Sequence, residues 1–230
     1  MCGRYTLAKD PLRLREHFDL RSTPAWSARY NIAPAQPVPV IAATAAGERE
    51  WGLAQWGLRP AWAAAAPDAP ARPPLINARG ETIATKPAFR GAFRQRRCLL
   101  PADGFYEWRS EGGQKQPSYF RRRDGGLFAF AAVWEPIAAP GAAGGGNRGC
   151  AIVTTQANEL VAAYHDRMPV MLHPSQYDVW LRAAPAAAAE LLRPYAAEEM
   201  AAYPVAPRWV NSARFDGPEC VVAMPQAASG

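Results

Sequence analysis

The chain has 230 residues, enough for one large domain or two small ones with a sizeable core. Apolar residues at 49% and charged residues at 20% exclude a disordered chain, and a net charge of +6 permits an anionic partner without requiring one. No charged segment followed by an apolar stretch opens the chain, and its Ala-rich runs are short and broken by Pro. These features predict a cytoplasmic protein with no signal peptide, no membrane contact and mostly reduced thiols.

In chain order, Asp10-Pro11 predicts a capped helix through Phe18. The stretches 38–43 (VPVIAA) and 51–58 (WGLAQWGL) read as strands, and 66–74 as a Pro-rich loop. A second helix is expected from near Pro87, with Phe89 and Phe93 four apart on one face. Strand signals then crowd at 97–101, 104–108, 117–122, 127–134 and 150–155, with a flexible Gly/Ala-rich loop over 139–149. Asn158 caps a helix through Tyr164, and two short Ala-rich helices follow near 175–182 and 185–193. The pattern predicts one α+β domain over 1–230, built on an antiparallel, barrel-like sheet with flanking short helices and a C-terminal tail at about 223–230.

Several polar residues fit no core. Cys2 follows the initiator methionine, which cells trim before a small residue. Trimming leaves a thiol and a free α-amine, with a pKa near 8, on one residue. That pair condenses with aldehydes to a thiazolidine, and it also suits an N-terminal nucleophile for amide hydrolysis; taken alone, Cys2 is equally an incidental cysteine. In INARGET (76–82), Asn77, Arg79 and Glu81 have the same parity and would share a face of an extended segment. Amide and guanidinium could there grip a phosphate, although a turn asparagine beside a solvated arginine gives the same pattern. In ADGFYEW (102–108), Asp103-Gly104 signals a turn, and Phe105 and Glu107 share one strand face opposite Tyr106 and Trp108. A carboxyl among aromatics is desolvated and its pKa rises toward general-acid range; an edge-strand glutamate with its head in water is the plainer alternative.

The chain holds three histidines. His165, before Asp166-Arg167, can carry a proton near neutral pH, or simply sit at a helix end. His17 reads as a helix surface residue and His173 as a helix lead-in. Arg79, Lys86, Arg90, Arg94, Arg96 and Arg97 cluster against Glu81 alone, with Trp62, Phe89 and Phe93 interleaved. Such a face suits single-stranded nucleic acid, the charges meeting phosphates and the rings meeting bases. Arg121, Arg122 and Arg123 read as solvated surface. The four cysteines are far apart with no C-x-x-C pair, so neither a zinc site nor any other cofactor is expected.

Together MCGRY, RYNIAPAQ (29–36), WGLRPAW (56–62), INARGET, RRCLLPADGFYEW (96–108), AIVTTQAN (151–158) and HDRMP (165–169) resemble the successive blocks of the SRAP family, SOS-response-associated-peptidase-like proteins that crosslink abasic sites in DNA. The resemblance implies the SRAP fold with a basic DNA groove, and a thiazolidine crosslink between Cys2 and a ring-opened abasic sugar in single-stranded DNA, with junctions as a further substrate. It implies that Asn77 positions Cys2 and the sugar, that Glu107 transfers protons, and that His165 acts on the sugar hydroxyl and in crosslink reversal. Arg4, Arg79 and Arg167 match phosphate-binding arginines; Pro34, Trp62, Arg90 and Thr155 fall along the DNA path, and Phe89 falls where the family places an apolar wedge. The expected protein is a monomeric, self-crosslinking enzyme with a lyase activity through the same Schiff base. A peptidase using Cys2 as nucleophile is the alternative, and a non-catalytic DNA-binding module a third reading. The basic 79–97 region favours the DNA readings, since peptide hydrolysis does not need it.

Overall fold

The computed structural model describes residues 2–60, 73–137 and 148–225. Trp62, most of the 66–74 and 139–149 loops and the end of the tail lie outside the described residues.

The N-terminal half runs β1 (Tyr5–Leu7), α1 (Pro11–Phe18), β2 (Arg29–Ile32), β3 (Pro37–Ala43), β4 (Arg49–Trp56), β5 (Asn77–Arg79), α2 (Gly80–Ile83) and α3 (Arg90–Gln95). Helix α1 starts where the sequence predicts, with the Asp10 side chain accepting from the Leu12 amide and Pro11 in the first turn. Next come β6 (Arg97–Ala102), β7 (Gly104–Glu111), β8 (Gln114–Arg122), β9 (Phe128–Pro136) and β10 (Arg148–Gln156). The chain continues through α4 (Glu159–Ala162), β11 (Arg167–Pro169), β12 (Met171–Leu172), α5 (Tyr177–Arg182), α6 (Pro185–Ala189), β13 (Met200–Pro204) and α7 (Pro207–Val210). Asn158 caps α4 by accepting from the Val161 amide at 2.9 Å.

Two sheets share the core. One has five strands in the order β13-β8-β7-β1-β2, every neighbour antiparallel. The other has eight, and its pairings β10-β4-β3-β6-β9 return to β10, giving a ring-like sheet rather than a closed barrel. Most pairings are antiparallel as expected, but β10 lies parallel to both β4 and β5, which periodicity cannot foresee.

Between β6 and β7, Asp103 is the point at which the chain leaves one sheet for the other, rather than a hairpin turn. Alternation along β7 serves both faces of its sheet. Phe105 enters the main core, stacked on its cross-strand partner Phe120 with centroids 5.1 Å apart, while Tyr106 joins a smaller core with Tyr119, Val205, Val210 and Cys220. Among the described residues no helix is long and apolar enough to cross a membrane.

Candidate active site

Cys2 precedes β1 and is fully buried. Burial, and next the Glu107 carboxylate, push its thiol pKa well up, so the sulfur is held as a thiol. Tyr5 pairs with Phe105, and the Tyr106 amide donates to Arg4 O at 3.1 Å, so β7 runs alongside the residues before β1. That register brings Glu107 near Cys2. Glu107 is 3% exposed on the Phe105 face, and desolvation raises its carboxyl from the ordinary 4.5 to about 7.

Asn77 opens β5 opposite Ile152 of β10, and its Nδ2 donates to Cys2 O at 3.1 Å. Its Oδ1 is buried without a hydrogen-bond partner among the described residues. A buried unsatisfied acceptor costs about 1–3 kcal/mol, so its retention beside Cys2 suits a donor that arrives with a ligand.

His165 ends the turn after α4, its amide bonded to Val161 O at 3.0 Å. With Glu107, Trp108, Ser110, Lys115 and Asn211 it lines a cavity of about 580 Å³. Burial lowers its pKa, which favours the neutral ring. The Arg167 amide donates to Nδ1 at 3.0 Å, which needs a lone pair there, whereas the Asp166 carboxylate 2.7 Å from the same nitrogen would need a proton. The side chain of Asp166 is exposed and can turn away, so the backbone bond decides the tautomer and leaves the proton on Nε2.

The residues expected along a DNA path divide sharply. Arg79 and Arg90 are exposed, as are Lys86 and Arg94. Arg96 instead pairs with Glu135 at 2.6 Å, and Arg97 is buried, donating to the carbonyls of Phe93, Trp180 and Ala183. Arg97 therefore belongs to the core and not to a basic face. Arg4 is half-buried and donates to Asn31 Oδ1 at 2.8 Å and Val210 O at 2.9 Å. Arg167 is buried in a two-pronged pair with Glu81 at 3.0 and 2.9 Å, and also donates to Thr154 O at 2.7 Å.

Glu81 does not share an extended face with Asn77 and Arg79, because Gly80 opens α2 and turns the chain. Thr155 is buried and its hydroxyl donates to Leu192 O at 3.3 Å; Pro34 is half-buried. Phe89 is 6% exposed in the core, so it presents almost no surface in this conformation. Two further expectations are corrected. Arg121 and Arg122 are half-buried against the Tyr203 ring and Asp124, whereas Arg123 is exposed as expected and donates to Glu198 O. His17 packs between Phe18 and Tyr177, bonds the Tyr177 hydroxyl at 3.0 Å, and has its pKa pushed down to about 4 by burial.

Sequence reasoning passed over the C-terminal segment. Asn31, fully buried, donates through Nδ2 to Trp209, Ser212 and Phe215 carbonyls, and Asp216 accepts from the Tyr30 and Asn31 amides and pairs with Arg29. Asn211, which accepts from Trp108 Nε1 at 2.8 Å, forms one wall of the cavity.

The fold and site define an α+β domain whose N-terminal strand carries a buried cysteine to a protonatable carboxyl. The family model described as SOS response associated peptidase (SRAP) matches residues 1–213, and the chain belongs to that family. It is 37% identical to "Abasic site processing protein YoqW" of Bacillus subtilis (strain 168), covering 96% of this chain and 99% of the relative. It is 34% identical to "Abasic site processing protein YedK" of Escherichia coli (strain K12), covering 79% and 80%, and 30% identical to "Abasic site processing protein HMCES" of Gallus gallus, covering 96% and 77%. A solved protein from Bacteroides thetaiotaomicron superposes with a TM-score of 0.81 over 97% of this chain and 100% of its own at 24% identity, a likeness of fold. One from Bordetella bronchiseptica gives 0.73 over 89% and 100% at 29% identity.

Proposed function

We propose that this chain processes abasic sites in DNA, and that it does so by crosslinking itself through Cys2. With Met1 removed, the α-amine of Cys2 adds to the C1′ aldehyde of the opened sugar, and loss of water leaves a Schiff base. The thiol then adds to the carbon of the protonated imine as Glu107 takes its proton, closing a thiazolidine; aldehyde plus aminothiol gives ring plus one water. Glu107, near pKa 7, is suited to give a proton to the ring oxygen and take one from the anomeric hydroxyl as the sugar opens, then to give one to the departing hydroxyl and take the thiol proton back. Asn77 would hold Cys2 through its carbonyl while its unpaired Oδ1 meets the sugar. His165, with its proton on Nε2, would act at the sugar hydroxyl and in crosslink reversal. Exposed Arg79, Lys86, Arg90 and Arg94 would carry single-stranded DNA by its phosphates.

The observation that carries this reading is the meeting of Cys2, Asn77 and the raised Glu107 carboxyl at one buried point. The names of the relatives supply the substrate class. The test is incubation with a single-stranded oligonucleotide carrying one abasic site, followed by a denaturing gel. A heat-stable shifted band that Cys2→Ala loses is expected. A wild-type chain that gives no band, with Met1 removal verified by intact mass, would sink the proposal; cleavage of peptides dependent on Cys2 would then favour a peptidase.

A further inference from the structure

A three-residue strand at a chain terminus frays easily, yet β1 must hold the reacting residue steadily against β5 and β7. Its backbone ladder is thin. The pairing with β2 is irregular between Tyr5 and Leu7, so that edge does not enforce the register.

A buried polar cluster on the adjoining strands supplies what the ladder lacks. One Asp103 carboxylate oxygen accepts from the Thr6 hydroxyl, and the other accepts from the Ala8 amide at 2.8 Å. The Asp103 amide donates to Thr6 O at 3.0 Å, and the Tyr119 hydroxyl lies 2.9 Å from Thr6 Oγ1. Thr6 is fully buried and Asp103 is 6% exposed. Tyr119 reaches this point by lying across Gly104, where a Cβ would stand 2.2 Å from its ring and hydroxyl.

An apolar contact could hold a strand against a core at less cost than a buried carboxyl. What the carboxyl adds is register, because a slip of β1 along β7 would leave both Asp103 oxygens buried and unpaired. We propose that Asp103, with Thr6 and Tyr119, is a positioning device that sets the register of β1 and so fixes Cys2 against Glu107 and Asn77. None of the three would touch DNA or a reacting atom. The proposal rests on Cys2 being the reacting residue.

Thr6→Val keeps the side chain's shape and removes the hydroxyl, and Thr6→Ser restores it. A misplacement near 1 Å can cost on the order of 100-fold in rate. At saturating abasic oligonucleotide, Thr6→Val should therefore slow single-turnover crosslinking by about 10- to 100-fold, with half-saturating DNA unchanged and Thr6→Ser close to wild type. Amide exchange should quicken in residues 3–8 alone. A folded Thr6→Val chain with wild-type rate overturns the proposal, as does a loss spread evenly over rate, DNA affinity and exchange throughout both sheets. If the wild type itself fails to crosslink, the functional reading falls instead, and exchange still decides the clamp: quickening confined to residues 3–8 upholds it, and unchanged exchange in Thr6→Val overturns it.

Discussion

Glu107→Gln should make the protein more stable while slowing its chemistry. The folded-state carboxyl sits at about 7 because burial penalises its charge, against an ordinary 4.5. Between those two values the folded chain binds more protons than the unfolded chain, so stability falls as pH rises and the full penalty stands above the folded pKa. At 1.36 kcal/mol per pH unit, an interval of roughly 2.5 units is worth about 3 kcal/mol. Gln keeps the volume and cannot ionise, so it removes that penalty. For a chain of this length about 3 kcal/mol corresponds to roughly 6–12 °C in Tm. Thermal unfolding of variant and wild type across pH 4–8 is the assay. The two should nearly coincide at the acid end, with the variant pulling ahead through neutrality, while its crosslinking rate falls because proton transfer is lost. A Tm difference that does not vary with pH, or a wild type that is the more stable at pH 8, would refute the reasoning.

Phe89→Ala should cost about 3–5 kcal/mol of stability, because the ring is packed in the core, and chemical denaturation reads this directly. Arg97→Ala strips three buried carbonyls of their donor and should cost about 3 kcal/mol or more; DNA affinity corrected for the folded fraction should not change. Arg79→Ala should weaken binding to all sequences alike and reduce the slope of log affinity against log salt by about 1; an unaltered slope would move the groove elsewhere. His165→Ala should slow release of the crosslink, read as transfer onto a second, unlabelled oligonucleotide, and undiminished transfer would remove it from reversal.

Much of the fold was legible because it rests on local rules. The Asp10-Pro11 start of α1 and the Asn158 cap of α4 are local chemistry, and the strands from 104 to 155 announce themselves by β-branched and aromatic residues. Parity alone put Glu107 on the Phe105 face and Tyr106 on the other, and the desolvation that follows is what raises its carboxyl. The basic cluster was less legible. Arg94 and Arg97 look alike in sequence, yet one is exposed and the other donates to three core carbonyls, since only the packing of α5 on β6 decides which guanidinium is enclosed. Glu81 was assigned to an extended face with Asn77, and one glycine that opens a helix turned it to Arg167.

From the sequence alone came α1, the cap of α4, most strands in the middle of the chain and the alternation of faces along β7, because period and capping act within a few residues. The tertiary structure decided the rest. It closed the ring through β9 and β10, brought Asn77 to the Cys2 carbonyl across 75 positions, folded the C-terminal segment over Arg4 and Asn31, and made Asp103 a clamp on β1 where a turn was expected. Those contacts join residues far apart in the chain. They are selected by which buried polar groups find partners when the sheets close, a property of the packed molecule that no local stretch contains.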